Sequence, residues 1–401
     1  MSSSVRILTF TTLYPNAAKP QHGVFVENRL RQLVKGGEVS ARVLAPVPYF
    51  PLRGKMFGRW SVFARAPLSE VRHGIAIDHP RFLTIPKLGM TVAPFLLYAA
   101  ARKSLAALLE SGHRFDLIDA HYFYPDGVAA AMLGRTFGLP VTVTARGTDI
   151  NVIPDYAIPG RMIRWAANRV DGLITVSTAL ACRLASLGID SSRIAVLRNG
   201  IDPVMFKPMA PFKWDGQAPP SPLALTVGNL VPLKGHDMAI KALSDIPTLH
   251  LWIVGDGPER GRLEALAGSL GVAERVTFLG AVPHERMSEV YSAASILILA
   301  SEREGWPNVL LEAMACGARV VATNVSDVPQ IVTELAAGMW IRERNVQALV
   351  GAVRQLLAAP MAREATRAHA LRFTWDKTTS GQIELFRQIL CDQGMARRES
   401  G

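Results

Sequence analysis

Cysteine is scarce: the 401 residues hold three, Cys182, Cys316 and Cys391, far apart and with no pair at metal-ligand spacing. This excludes a disulfide framework and a zinc finger, and it fits a reducing cytoplasm. No Asp-x-Asp occurs, and the nine histidines form no cluster at ligand spacing, so a protein-held divalent metal and any other cofactor are not expected. No unbroken apolar run reaches the roughly 18 residues of a membrane span. The opening Val5-Arg-Ile-Leu-Thr-Phe10 is too short for the apolar region of a signal peptide. The expectation is a chain that is neither exported nor integral to a membrane. Aromatic residues make up only 7%, but hydrophobic residues reach 49%, which suits well-packed globular cores.

Acidic residues are scarce in one half only. Residues 1–200 carry 24 Lys plus Arg against 12 Asp plus Glu, and the remainder carries 20 against 21, so the formal charge of +11 resides in the first half. From Tyr49 to Pro67, Arg53, Lys55, Arg59 and Arg65 alternate with Phe50, Met56, Phe57, Trp60 and Phe63. Such mixing suits an anionic membrane surface. A nucleic acid accepts the same pattern, and so does an ordinary surface loop whose apolar residues pack inward.

The length exceeds one ordinary core and predicts two domains. Short apolar strands alternate with helical stretches, the pattern of parallel sheets covered on both faces. In the first half strands are expected at 6–10, 40–45, 117–120, 141–144, 172–176 and 194–197, with helices at 24–35, 91–110, 127–136, 160–167 and 179–186. Residues 209–222, rich in proline and without periodicity, read as a linker. A second run places strands at 223–227, 250–254, 276–279, 296–299 and 319–322, with helices at 236–243, 259–269, 286–293, 308–315 and 346–357. The fold class is therefore α/β: two Rossmann-like, doubly wound parallel-sheet domains, 1–208 and 223–372, facing across a cleft.

Chemistry-bearing residues sit where strands end. Gly23 opens a helix after the first strand, and His121 and Arg146-Gly-Thr-Asp149 follow two later ones. His121 can hydrogen-bond a ligand hydroxyl or be structural; Arg146 offers a cation or a surface ion pair. In the second half Lys234 precedes a helix and supplies a point charge to an anion. Gly255-Asp-Gly-Pro-Glu-Arg-Gly261 follows a strand, with an extra residue before the third glycine of a dinucleotide fingerprint.

The most informative stretch is Glu304-Gly-Trp-Pro-Asn-Val-Leu-Leu-Glu312. Pro307 suits the first helical turn and Gly317 the stop, which puts Glu304 in a loop and Glu312 on a helix. Backbone NH groups from Trp306 to Val309 would then face a diphosphate. The flanking carboxylates would accept hydroxyls from the sugars on either side of it. The plain alternative is a helix-dipole glutamate and a solvated loop.

Together these residues resemble the retaining glycosyltransferases of family 4, with the GT-B fold, in particular bacterial members that build exopolysaccharide or cell-envelope glycans. The spaced glutamates carry the resemblance, with Asn199-Gly-Ile-Asp202, Val227-Gly-Asn-Leu-Val-Pro-Leu-Lys-Gly235, Val254-Gly-Asp-Gly-Pro258 and Phe373-Thr-Trp-Asp376 in support. The resemblance implies that Glu312 binds ribose, that Glu304 and the backbone of Gly305, Trp306, Pro307, Asn308 and Val309 bind the hexose and diphosphate, and that Lys234 binds the diphosphate. It also implies that His121 holds the hexose, that Gly23 approaches donor and acceptor, and that the last helix, 373–401, returns to the first domain. Retention then follows from front-face attack, the leaving phosphate helping to deprotonate the acceptor. Base recognition is expected from backbone near Gly257 and Gly280. Asn229 stands where the family often has Arg, and Arg146 where many members have His, so Arg146 is expected to compensate in part, with Asp149 in a supporting role. The loop Thr323 to Pro329 lacks the paired glycines common there.

The expected activity is transfer of a hexose from a nucleoside-diphosphate sugar to a glycan or lipid-linked acceptor. The enzyme is expected in the cytoplasm, attached to an anionic membrane through its basic half, with no nucleic-acid partner. A GT-B sugar-nucleotide epimerase or hydrolase, an NAD-dependent oxidoreductase and a non-catalytic sugar-nucleotide-binding protein are the alternatives.

Overall fold

The computed structural model describes residues 4–49, 60–84, 89–359 and 361–399. Packing divides the chain into two compact units, one of Met1–Arg198 with Asp376–Gly401 and one of Asn199–Trp375.

Strands of the first unit are β1 (Val5–Phe10), β2 (Val39–Leu44), β3 (Val47–Pro48), β4 (Ser69–Arg72), β5 (Ile75–Asp78), β6 (Arg81–Phe82), β7 (Leu117–His121), β8 (Val141–Ala145), β9 (Gly172–Thr175) and β10 (Ile194–Val196). Among the described residues they form a sheet of order β10-β9-β8-β7-β1-β2-β5-β4, with β3 and β6 paired separately. Pairing in the large sheet is parallel except between β4 and β5. Strands β7, β8 and β9 are buried along their whole length because helices cover both faces. The β4–β5 hairpin was not expected. Its turn uses His73 and Gly74, both at positive φ, in place of the more recognisable Asn-Gly or Asp-Gly.

Helix Asp376–Glu399 belongs to the first unit, where Ile383 and Phe386 join Ile7, Leu30, Val43 and Leu117 in one core. Helix Gly89–Glu110 forms a wall of the same unit, with Leu97, Ala101 and Leu105 buried and Phe95 exposed. By length and average composition alone its Met90–Glu110 portion is apolar enough to cross a membrane, although no unbroken apolar run of that length occurs. Arg102 and Lys103 interrupt the run without lowering the average enough to exclude it. Of the basic-aromatic stretch, Phe50, Arg53, Lys55, Met56, Phe57 and Arg59 lie outside the described residues, as does the side chain of Trp60. Phe63 is half-buried with the Lys19 ammonium 3.9 Å over its ring, and Arg65 is exposed.

In the second unit β11 (Leu223–Val227), β12 (His250–Val254), β13 (Val276–Gly280), β14 (Ile296–Leu299), β15 (Arg319–Thr323) and β16 (Gly338–Ile341) form a parallel sheet of order β13-β12-β11-β14-β15-β16. Residues 209–222, expected as a linker, are built into this unit. The Phe212 ring meets Trp252 edge-on at 6.1 Å, its NH bonds Glu289 O, and Met209 NH bonds Ser292 Oγ. Strand β16 and helix Arg363–Ala370 were also unexpected.

Each sheet starts in its middle, at β1 or β11, grows to one side, then returns to grow on the other. Loops leaving β1 and β7, and likewise those leaving β11 and β14, therefore diverge at the carboxyl edge, where open α/β sheets hold ligands. In the first unit one bond ties these loops together: Thr12 Oγ1 donates to Asp126 Oδ2 at 2.9 Å. Asp126 is fully buried and, among the described residues, its Oδ1 has no partner. Burial raises its pKa to about 8, against the opposing bonds from Thr12. The folded value exceeds the unfolded one, so the stabilisation is complete below about pH 4 and is lost as pH rises through 8. Asp126→Asn should accordingly raise the unfolding midpoint by an increment that grows between pH 5 and pH 9. A gap that is flat or shrinks across that range would refute the buried-acid assignment.

Candidate active site

The second unit brings Lys234 and Glu304 together across the divergence of its loops. Lys234 lies after β11 and Glu304 after β14, and Lys234 Nζ stands 2.6 Å from Glu304 Oε1. Ser301 Oγ donates to the same oxygen at 2.7 Å. Ser301 is fixed in turn, because its carbonyl accepts from Thr323 Oγ1 at 2.6 Å. Gly235 lets the two loops approach: at φ 67°, a Cβ there would lie 2.2 Å from Ala300 O. The next loop packs as closely, since a Cβ on Gly255 would lie 2.0 Å from Gly228 O.

Asn229 is exposed on the rim, its carbonyl accepting from His236 Nε2. Gly257 and Gly280 are half-buried at adjoining strand ends, joined through the bond from Gly255 NH to Gly280 O at 2.8 Å. Glu304 is in a loop and Glu312 on the helix Asn308–Ala315, as the spacing predicts, and Gly317 has φ 86° at the stop. Pro307 differs by one position: it precedes the helix instead of opening it. Asn308 NH is committed to Trp306 O at 3.0 Å, and the Asn308 side chain meets that of Asn199. Trp306 is buried with its ring centroid 6.5 Å from that of Phe373, so its side chain serves the core, while Gly305 O is held by Ser326 and Val309 is half-buried. Glu312 Oε2 accepts from Tyr291 OH at 2.7 Å, and burial raises its pKa.

In the first unit Gly23 caps helix Val24–Lys35 at φ 73°, where a Cβ would meet Leu13 O at 2.2 Å. His121 ends β7 and is buried. Its Nδ1 takes a bond from Arg146 Nη2 at 2.7 Å and its Nε2 lies 3.2 Å from Asp119 Oδ2. Since guanidinium only donates, Nδ1 is the acceptor and Nε2 carries the proton. Burial, with Arg146 adding to it, pushes the His121 pKa down to about 4 despite Asp119. Burial also opposes the Asp119 carboxylate, but His121, Thr142 and Arg29 outweigh it and lower its pKa.

Arg146 is itself buried, its pKa lowered to about 9, which replaces the surface ion pair weighed from sequence. Asp149 supports the loop: its carboxylate accepts from the NH groups of Phe123, Arg146 and Gly147. Beside His121, Tyr122 holds a φ of 77°, a strained value for a tyrosine.

Sequence reading missed the residues that hold these groups. Asp119 was accessible in principle, since it lies two before His121 and so on the same face of β7. Opposite it in register stands Thr142, which donates to Asp119 Oδ1 at 2.8 Å. Gln382, bonded to Asp119 and Arg29, comes from the last helix, and Ser301 and Tyr291 carry no local signature. Among the described residues no group of three His, Cys, Asp or Glu side chains could hold a metal ion.

Two family models match, "Glycosyl transferases group 1" over residues 212–372 and "Glycosyltransferase Family 4" over residues 55–204. The D-inositol 3-phosphate glycosyltransferase of Acidothermus cellulolyticus is 31% identical over 75% of this chain and 72% of its own length. The putative teichuronic acid biosynthesis glycosyltransferase TuaC of Bacillus subtilis is 30% identical over 87% and 88%. Among solved structures, sucrose-phosphate synthase from Thermosynechococcus elongatus has a TM-score of 0.78 at 19% identity, covering 97% of this chain and 100% of that one. HepE from Anabaena in complex with UDP has a TM-score of 0.69 at 19% identity, covering 96% and 100%. With the paired glutamates and Lys234 at the carboxyl edge of a doubly wound sheet, these matches establish that the chain belongs to the family 4 glycosyltransferases and has the GT-B fold.

Proposed function

We propose that this glycosyltransferase moves a hexose from a nucleoside-diphosphate sugar to a glycan or lipid-linked acceptor of polysaccharide or cell-envelope synthesis, with retention and without a protein-held metal. The Lys234–Glu304 pair at the loop divergence of the second unit carries this reading. A diphosphate there gives the ammonium a second anion to neutralise and frees Glu304 to accept hexose hydroxyls. Glu312, held by Tyr291, takes the ribose. In support, HepE was crystallised with UDP-glucose, and starch synthase IV from Arabidopsis thaliana with ADP. His121, neutral and engaged at both nitrogens, contributes the face of its ring and keeps Arg146 in place. Arg146 thereby has a task other than replacing the arginine absent at Asn229.

A thermal-shift screen against UDP-, GDP- and ADP-sugars, run with EDTA present, tests the donor class, since a ligand stabilises the state that binds it. One nucleotide series should raise the midpoint; no shift with any of them would reject the proposal. In the same assay Glu312→Ala should weaken binding by about 1 to 3 kcal/mol, the range of a lost charge-assisted hydrogen bond. Glu304→Ala should leave nucleoside-diphosphate affinity intact or tighter, because Lys234 loses its competing anion, while turnover falls by about 100-fold or more. Weakened diphosphate binding in Glu304→Ala would contradict the assigned division of labour.

Retention is checked by NMR on the first product formed, whose anomeric configuration should match that of the donor; an inverted product ends that part of the proposal. Cytoplasmic location with peripheral attachment to an anionic membrane is proposed on the charge excess of residues 1–200. Binding to phosphatidylglycerol vesicles should fall steeply as salt rises. Equal binding at low and high salt would remove the attachment.

A further inference from the structure

The first unit contains a cavity of about 470 Å³ that no step above uses. It lies between the loop after β1, the β3–β6 pair and the start of helix Gly89–Glu110, and its walls include Leu13, Val47, Phe63, Phe82 and Leu96. The size falls within the usual range of about 300 to 1,000 Å³ for sites that enclose a small molecule. Its lining is mostly apolar; Thr12, Asn16, Lys19 and His22 on the loop after β1 supply polar groups, and His79 and Thr84 add two from beyond β5 and β6. Thr12 is the residue that bonds Asp126, and Tyr122, also on the wall, follows His121 directly, with Tyr124 two residues further on.

Through Thr12 and Tyr122 the cavity adjoins the His121 cluster. Elsewhere its lining reaches the surface, since Leu83 is 60% and Met90 43% exposed, and Phe95 on the same helix is 51% exposed. Solvent-exposed apolar residues that run into an apolar cavity make a path for a chain that is apolar along its length. Lys19 on the wall, its ammonium 3.9 Å over the Phe63 ring, belongs to a unit with a large positive excess and selects an anionic head.

We propose that this cavity receives the hydrocarbon chain of an anionic amphiphilic acceptor, with its head at Lys19 and toward His121. The assignment of this amphiphile as acceptor rests on the glycosyl-transfer reading above. Binding of the amphiphile is measured without a donor, so the two stand or fall separately.

The test uses the full chain and 11-(dansylamino)undecanoic acid as a fluorescent probe, displaced by alkyl phosphates of increasing length kept below micelle formation. Probe binding should saturate at one per chain. Affinity of the competitors should rise roughly threefold to fourfold for each methylene that enters the cavity, then level off when it is full. Ala93→Phe, which fills the cavity, and Leu96→Gln, which makes its wall polar, should each weaken the probe by tenfold or more. Both variants should retain the wild-type nucleotide thermal shift, which certifies folding. The proposal is overturned by non-saturating binding, by affinity independent of chain length, or by unchanged affinity in both variants. Equal displacement by p-nitrophenyl glycosides overturns it as well, since a small aromatic ring would then be the occupant. Nucleotide binding without amphiphile binding rejects the cavity assignment alone; amphiphile binding without nucleotide binding rejects the donor reading alone.

Discussion

Parallel strands cannot be joined by tight hairpins, and most of what matters in this protein follows from that constraint. Each crossover carries the chain back along a covering helix, so every loop that follows a parallel strand is delivered to the same edge of its sheet. Where the direction of growth reverses, two neighbouring loops part and leave a gap lined by backbone. Lys234 and Glu304 lie on the two loops beside that gap in the second unit, and their 2.6 Å contact depends on the reversal as much as on their own chemistry. In the first unit the corresponding loops are tied by Thr12 and Asp126.

Such an edge has to be both close-packed and polar, and the two demands are met by different residues. Glycine meets the first, as at Gly235 and Gly255, where any side chain would overlap a carbonyl of the neighbouring loop. Buried acids and hydroxyls meet the second. Asp149 gathers three backbone NH groups, Ser301 steadies Glu304, and Asp119 anchors His121. Burying these groups shifts their protonation, which is why His121 stays neutral well below pH 7 while Asp126 keeps its proton to about pH 8.

Much of the fold could be read from local pattern. The apolar run at Ile296–Leu299 and the short β-branched and apolar stretches at Leu117–His121 and Val141–Ala145 have the signature of strands covered on both faces, and the helices between them have the matching period. The reading failed where the signal is weak or tertiary. The hairpin at His73 and Gly74 uses an uncommon turn pair, β16 opens on a glycine that only its neighbour β15 explains, and residues 209–222 join the second unit through Phe212 against Trp252. In the last two cases the partner is far away in sequence.

The sequence by itself determined the family, the kind of chemistry and the principal charged residues, because the spacing of Glu304 and Glu312 and the glycines that stop and start helices are local facts written into consecutive residues. Only the tertiary structure decided what those residues touch. It joined Lys234 to Glu304 over 70 positions, brought Gln382 to Asp119 over 263, and enclosed both nitrogens of His121. Contacts of that separation arise from the order in which strands enter a sheet, which is a property of the whole chain and leaves no trace in any single segment of it.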